Sequence, residues 1–166
     1  MKKILLIAFA IISVSTLSAQ YNTMQPRADY RSAFKVNRNA LTWSREVVCD
    51  KSKAEYYSDI ATRMTIATIA ENMVIGTIEV DPGANAPYST SRLPWDSSLV
   101  KANVVYELRD DGYKVTVSNI LYKHTTDREF SSVFGFIFNS SGTLRARGDG
   151  DLRYFDNAFC DLLLIE

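Results

Sequence analysis

The stretch Leu99–Tyr122, LVKANVVYELR-DDG-YKVTVSNILY, decides the fold. Apolar and polar residues alternate on both sides of a Gly-containing turn, the pattern of a β-hairpin. Val100, Ala102, Val104, Tyr106 and Leu108 share one face of the first arm. Lys101, Asn103, Glu107 and Arg109 share the other, with Val105 as the exception. In the second arm Tyr113, Val115 and Val117 oppose Lys114, Thr116 and Ser118. A two-residue Asp111-Gly112 turn would pair Leu108 with Val115 and Tyr106 with Val117, apolar against apolar. A three-residue loop would reverse the faces, because a one-residue slip flips every side chain. Asp-Gly also suits a type I′ turn. One face seeks a cover and the other tolerates water, which describes an antiparallel sheet with helices on one side.

Outward from the hairpin, Leu41–Asp50 alternates around Leu41, Trp43, Val47 and Cys49, with Arg45 and Val48 breaking the pattern, and reads as a strand. Ser52-Lys-Ala-Glu55 fits a capping box. It opens an amphipathic helix with Tyr56, Tyr57, Ile60, Ala61, Met64 and Ala67 on one side, expected to end near Thr68. Met73–Val80 reads as a second strand, with Gly76 marking a bulge or a close backbone approach. Asp81–Ser98 is a long irregular connection bearing Tyr88 and Trp95, with Leu93 and Trp95 expected to tuck under the sheet edge. Beyond the hairpin, the phase shift at Asn119–Tyr122 points to a bulge. Residues 127–138 fit helix and strand equally. A last helix opens at Asp151, with Leu152, Phe155, Phe159, Leu162 and Leu163 on its apolar face and Cys160 at the edge.

The N-terminus has the three parts of a secretory signal peptide: Met1-Lys2-Lys3, the apolar run Ile4–Ile12, and a small, polar segment ending at Ala19. The run is too short for a spanning helix. The expected organisation is a signal peptide over 1–19, a flexible leader over 20–40, and a single α+β domain over 41–166. Cleavage removes Lys2 and Lys3 and no acid, taking the formal net charge from 0 to −2. That balance disfavours nucleic acid as a partner. The expected location is periplasmic or extracellular, with no integral membrane span after processing.

Two cysteines, Cys49 and Cys160, then face an oxidising compartment. A bridge would close a long loop and stabilise by about 4–5 kcal/mol on chain-entropy grounds. Two separate buried thiols are the alternative.

The chemical inventory is thin. The one histidine, His124, reads as a solvated loop residue beside Lys123. One His and two distant Cys give no zinc spacing. Neither a nucleophile elbow nor a phosphate-cradling glycine loop occurs. Arg147-Gly148-Asp149 matches an adhesion tripeptide of the kind that arises by chance. Asp149-Gly150-Asp151 lacks the rest of a calcium loop. Asn139-Ser140-Ser141 fits a glycosylation acceptor on a surface turn, and Asp110-Asp111 belongs to the hairpin turn. No catalytic residue, cofactor or metal site is assigned.

The segments WSREVVCD leading into SKAEYY, then MVIGTIEV, VVYELRDDGYKVTVSNILY and GDLRYFDNAFCDLL resemble a family of exported bacterial domains of unknown function with a TATA-binding-protein-like (TBP-like) fold. The resemblance spans roughly Leu41–Leu163. It implies an antiparallel twisted sheet with two helices on one face, in the order β-α-β-β-β(-β)-α, and no established catalytic residues. The fold name does not imply DNA binding. The function expected is a non-catalytic envelope module binding a protein, glycan or small ligand through the open sheet face or the Asp81–Ser98 loop. The alternatives are a periplasmic hydrolase with an unrecognised site and a passive structural subunit of an envelope assembly.

Overall fold

The computed structural model describes residues 30–81, 98–124 and 126–165. The signal peptide, the start of the leader, and the loop bearing Tyr88, Leu93 and Trp95 lie outside the described residues. The central hairpin forms as β5 (Ser98–Arg109) and β6 (Gly112–His124). Its alternation is the expected one: Val100, Ala102, Val104, Tyr106, Leu108, Tyr113, Val115 and Val117 are all buried.

The register differs from the expected one by two residues. Leu108 pairs with Tyr113, Tyr106 with Val115 and Val104 with Val117, so the loop is Asp110-Asp111 and Gly112 belongs to β6. An even shift keeps every side chain on its face, so the assignment of faces survives. Neither aspartate has positive φ, so the type I′ turn does not form. The reason lies on the next strand. Gly112 pairs with Val48 of β2 (Ala40–Val48) at a φ of 151°, and a Cβ there would collide with the Val47 carbonyl. The glycine serves close strand approach and not the turn.

Part of the stretch expected to be leader is built into the sheet. A 3-10 turn at Arg31–Ala33 leads into β1 (Phe34–Asn37), which pairs antiparallel with β2. The capping box forms as read: Ser52 Oγ accepts from the Glu55 N–H, and Glu55 accepts from the Ser52 N–H at 2.8 Å. The helix, α1 (Lys53–Arg63), ends before the expected Thr68. The β-branched residues after it form a separate strand, β3 (Thr65–Ala70), because such side chains fit a pleated sheet better than a helix. β4 (Met73–Val80) follows. β3 bulges between Ile66 and Thr68 beside Gly76, whose missing Cβ admits the Thr65 carbonyl, as the sequence suggested. The second expected bulge is also present. Asn119 and Ile120 stand opposite the single residue Ala102, with Asn119 at φ 50°.

The ambiguous segment contains both elements: a two-residue strand, β7 (Ser131–Ser132), and then a short helix, α2 (Val133–Ile137), capped by the Ser132 hydroxyl. The last helix, α3 (Gly148–Leu163), begins three residues earlier than expected.

Among the described residues the sheet has seven strands, in the order β1-β2-β6-β5-β4-β3 with β7 paired to β6. The architecture is α+β, an antiparallel sheet with its helices on one face. The β-α-β-β-β(-β)-α order gains a strand before its first and another after α1, and its two helices are joined by a third, the short α2. The core lies between sheet and helices, where Trp43, Tyr56, Ile60, Tyr106, Phe155 and Phe159 are almost fully buried.

Gly112→Ala should lower stability by about 1–3 kcal/mol through overpacking against β2. Gly135→Ala, where a Cβ meets nothing within 4 Å, should be neutral or mildly stabilising. Paired urea denaturation curves check both.

Candidate functional site

Two surfaces qualify as candidate sites, and a buried polar anchor positions both. Arg45, which broke the alternation of β2, points to the helix side. Its Nη2 meets both carboxylate oxygens of Asp156 on α3, at 2.8 and 3.0 Å. The Trp43 indole N–H donates to the same carboxylate at 2.8 Å. Asp156 is completely buried, whereas the Arg45 side chain keeps 23% of its surface exposed. Trp43 also packs on Phe159, ring centres 5.4 Å apart. Sequence reasoning missed Asp156. The available signal was a basic residue on an apolar strand face together with an acid four residues after Leu152 on the apolar stripe of α3.

Two tyrosines anchor the C-terminal segment, and a third ties α1 to the chain after β2. The Tyr106 hydroxyl donates to the Leu163 carbonyl at 2.7 Å, and the Tyr113 oxygen accepts from the Ile165 N–H at 2.6 Å. The Tyr56 hydroxyl donates to the Cys49 carbonyl at 2.7 Å. Burial raises the pKa of all three above the ordinary tyrosine range, most strongly for Tyr106.

The first candidate surface is a cleft of about 410 Å³ between α1 and the end of α3, lined by Lys51, Asp59, Arg63, Cys160, Asp161, Leu164 and Ile165. Lys51 pairs with Asp59 at 3.1 Å. Arg63 donates from Nη1 to the Leu162 carbonyl at 3.0 Å, and its buried Nε meets no acceptor among the described residues. Two cations and two carboxylates thus meet in the cleft. Cys160 is buried and Cys49 half-buried, and both are present as thiols. Both lie near enough to Tyr113 to contribute to its raised pKa.

The second surface is the open face of the sheet. Its middle row runs Ser44, Thr116, Val105, Ile75, Thr68 across five strands, uncharged throughout. On one side lies a charged row of Glu46, Lys114 and Glu107, in which Lys114 pairs with Glu107, while Arg109 from the next row out pairs with Glu46. On the other, Ser118, Asn103, Thr77 and Thr65 line up. Lys101 and Lys123 stand over the Phe130 ring, 6.0 and 5.7 Å from its centre, at one end.

The remaining motifs resolve as local structure. His124 ends β6, half-buried and not in a solvated loop. Its Nδ1 lies 2.8 Å from the Thr126 hydroxyl oxygen, and it is not among the residues lining the cleft. The Asp149 carboxylate of the adhesion-like tripeptide accepts from the Tyr30 hydroxyl at 2.6 Å and from Arg31 at 2.8 Å. The Tyr30 hydrogen bond and the Arg31 guanidinium hold it below the usual carboxylate range. Asn139 Oδ1 accepts from the N–H groups of Ser141 and Thr143, fastening its own turn. Among the described residues, no group of three or more His, Cys, Asp or Glu forms a metal-ligating cluster. Nor is any helix there long and apolar enough to cross a membrane.

No family model matches the chain, and no curated protein does. Among solved structures it is similar to a DUF4468 family protein from Bacteroides ovatus, at 16% identity and a TM-score of 0.48, covering 79% of this chain and 85% of that one. It is also similar to a TBP-like protein from Parabacteroides distasonis, at 15% identity and a TM-score of 0.41, covering 75% and 85%. The second description carries the fold name that the sequence resemblance gave. The α+β assignment itself stands on the strand order and the one-sided helix layer.

Asp156→Ala should cost about 3 kcal/mol, and Arg45→Met more, about 3–5 kcal/mol, since it strands the more deeply buried charge. Denaturant midpoints of the two variants check the order. The raised tyrosine pKa values fix the sign at high pH. Their stabilisation is complete below the unfolded-state value of about 10 and is lost as pH rises through the folded values. Stability should therefore fall above about pH 10. Tyrosinate absorbance from these three residues should appear with unfolding and not before it. Tyr106→Phe should flatten the dependence.

Proposed function

We propose that this chain is an exported envelope protein that works as a non-catalytic binding or interaction module, with the open face of its sheet as the contact surface. The observation that carries the reading is the one-sidedness of the sheet. Among the described residues every helix packs on the Trp43 side, while the Ser44–Thr68 row crosses five strands on the other side with no helix over it. Small hydroxyl and aliphatic side chains at a sheet surface fit an extended ligand, a peptide segment or a glycan, laid along the row. The flanking ion pairs set its polar rim. A sheet that served only to cover its helices has no need of an uncharged row between two polar ones.

Export follows from the three-part N-terminus and accounts for the net acidity of the mature chain. In that compartment Cys49 and Cys160 are the pair that would bridge.

The mature protein, tagged and incubated with native envelope extract, should retain a defined partner. Thr116→Arg with Val105→Glu, both on the open face, should abolish retention without changing the melting temperature. Retention of nothing but the protein itself, or retention indifferent to these substitutions, overturns the reading. Intact mass with and without reductant reads the bridge as a loss of two hydrogens.

A further inference from the structure

The two ends of the sheet are protected unequally. β1 is four residues long, carries Lys35 and is followed by Arg38. Short length and lysine are usual ways of blunting an edge against pairing. β3, at the opposite end, reads Thr65-Ile-Ala-Thr-Ile-Ala70, six residues with no charge and no proline. Its outer backbone groups face no strand among the described residues, and Ile69 keeps 56% of its surface exposed.

We propose that β3 pairs antiparallel with β3 of a second copy, joining two sheets into one across a two-fold axis. The bulge supplies the register. Ile66 pairs with Gly76 and Ile69 with Val74, so both isoleucines face the helix side. Thr65 pairs with Thr77 and Ala70 with Met73, on the open side. The bulge changes the parity between the two halves of the strand. A two-fold pairing that sets Ile66 opposite the partner's Ile69 therefore also sets Thr65 opposite the partner's Ala70. Both faces then match, and each exposed Ile69 gains an apolar neighbour. An uncharged strand meets its own copy without like-charge repulsion. The interface is isologous and closes on itself, leaving the lysine-bearing β1 strands as the outer edges of the doubled sheet. This goes beyond the open-face reading and does not depend on it.

Sedimentation velocity on the mature protein over a concentration series should show a monomer–dimer equilibrium. Ile69→Lys should weaken dimerisation at least about tenfold by placing charge in the seam. The double variant Thr65→Cys/Ala70→Cys should give a covalent dimer with a mild thiol oxidant. Thr65→Cys alone and the unmodified protein, which retains Cys49 and Cys160, should not. If Ile69→Lys fails to fold, the cross-link decides. A monomer at every concentration overturns the proposal, as does a dimer that Ile69→Lys leaves intact or one that the paired cysteines fail to trap. Any of these results would mean that another segment or another protein covers β3, or that the contact lies elsewhere.

Discussion

The Asp156 carboxylate is the fixed point on which the rest of the structure depends. A fully buried carboxylate is tolerable only when its charge and lone pairs are matched, because desolvation otherwise outweighs any local gain. Here Arg45 supplies the charge and Trp43 a further donor, and both belong to β2. The contact is therefore specific in a way that apolar packing is not. It accepts one rotation of α3 about its axis and one position along the sheet. With α3 set, Leu163 and Ile165 reach the hydroxyls of Tyr106 and Tyr113, and the chain end is held against the sheet.

This anchoring separates the two faces by kind. The helix side is committed to its own interior, with aromatic side chains filling it and few polar groups. The open side is ordered by the same strands without a comparable obligation. Its ion pairs lie at the surface, where such pairs contribute little to stability. Residues there can change with modest structural cost, so the open face is the part of the molecule able to specialise. The cleft between α1 and α3 is less free. Arg63 and Cys160 line it, and the same segment carries the tyrosine contacts that hold the chain end.

The sequence made faces legible and left junctions obscure. Alternation in Val100–Leu108 and Tyr113–Val117 identified the buried side because period-two patterning is a local property. Ser52 and Glu55 identified the helix start because four residues contain the whole motif. The hairpin register escaped, since Gly112 answers to the Val47 carbonyl on a distant strand and not to its own turn. The end of α1 escaped because Thr65–Ala70 satisfies a helix or a strand until β4 is there to pair with it. Arg45 stood out as an irregularity, but its meaning lay in Asp156, more than a hundred residues later. At the candidate site the open-face residues Lys101, Asn103, Glu107, Arg109, Lys114 and Thr116 were readable as one polar side. Their assembly into rows across five strands depended on β2 and β4, whose registers no local pattern encodes.

The position of β2 between β1 and β6 has a consequence for how the molecule is made. β5 and β6 are neighbours in sequence and can pair as soon as they emerge from the ribosome. β2 is synthesised long before β6, yet its inner edge pairs with Trp43 set against Val117. Its two polar side chains then wait for Asp156, close to the end of the chain. The first strands to be synthesised are thus among the last to be satisfied. A nascent chain without its final helix holds an unmatched arginine against the sheet. Such a chain is poorly suited to finishing its fold during synthesis, and it favours assembly after the whole polypeptide has been released.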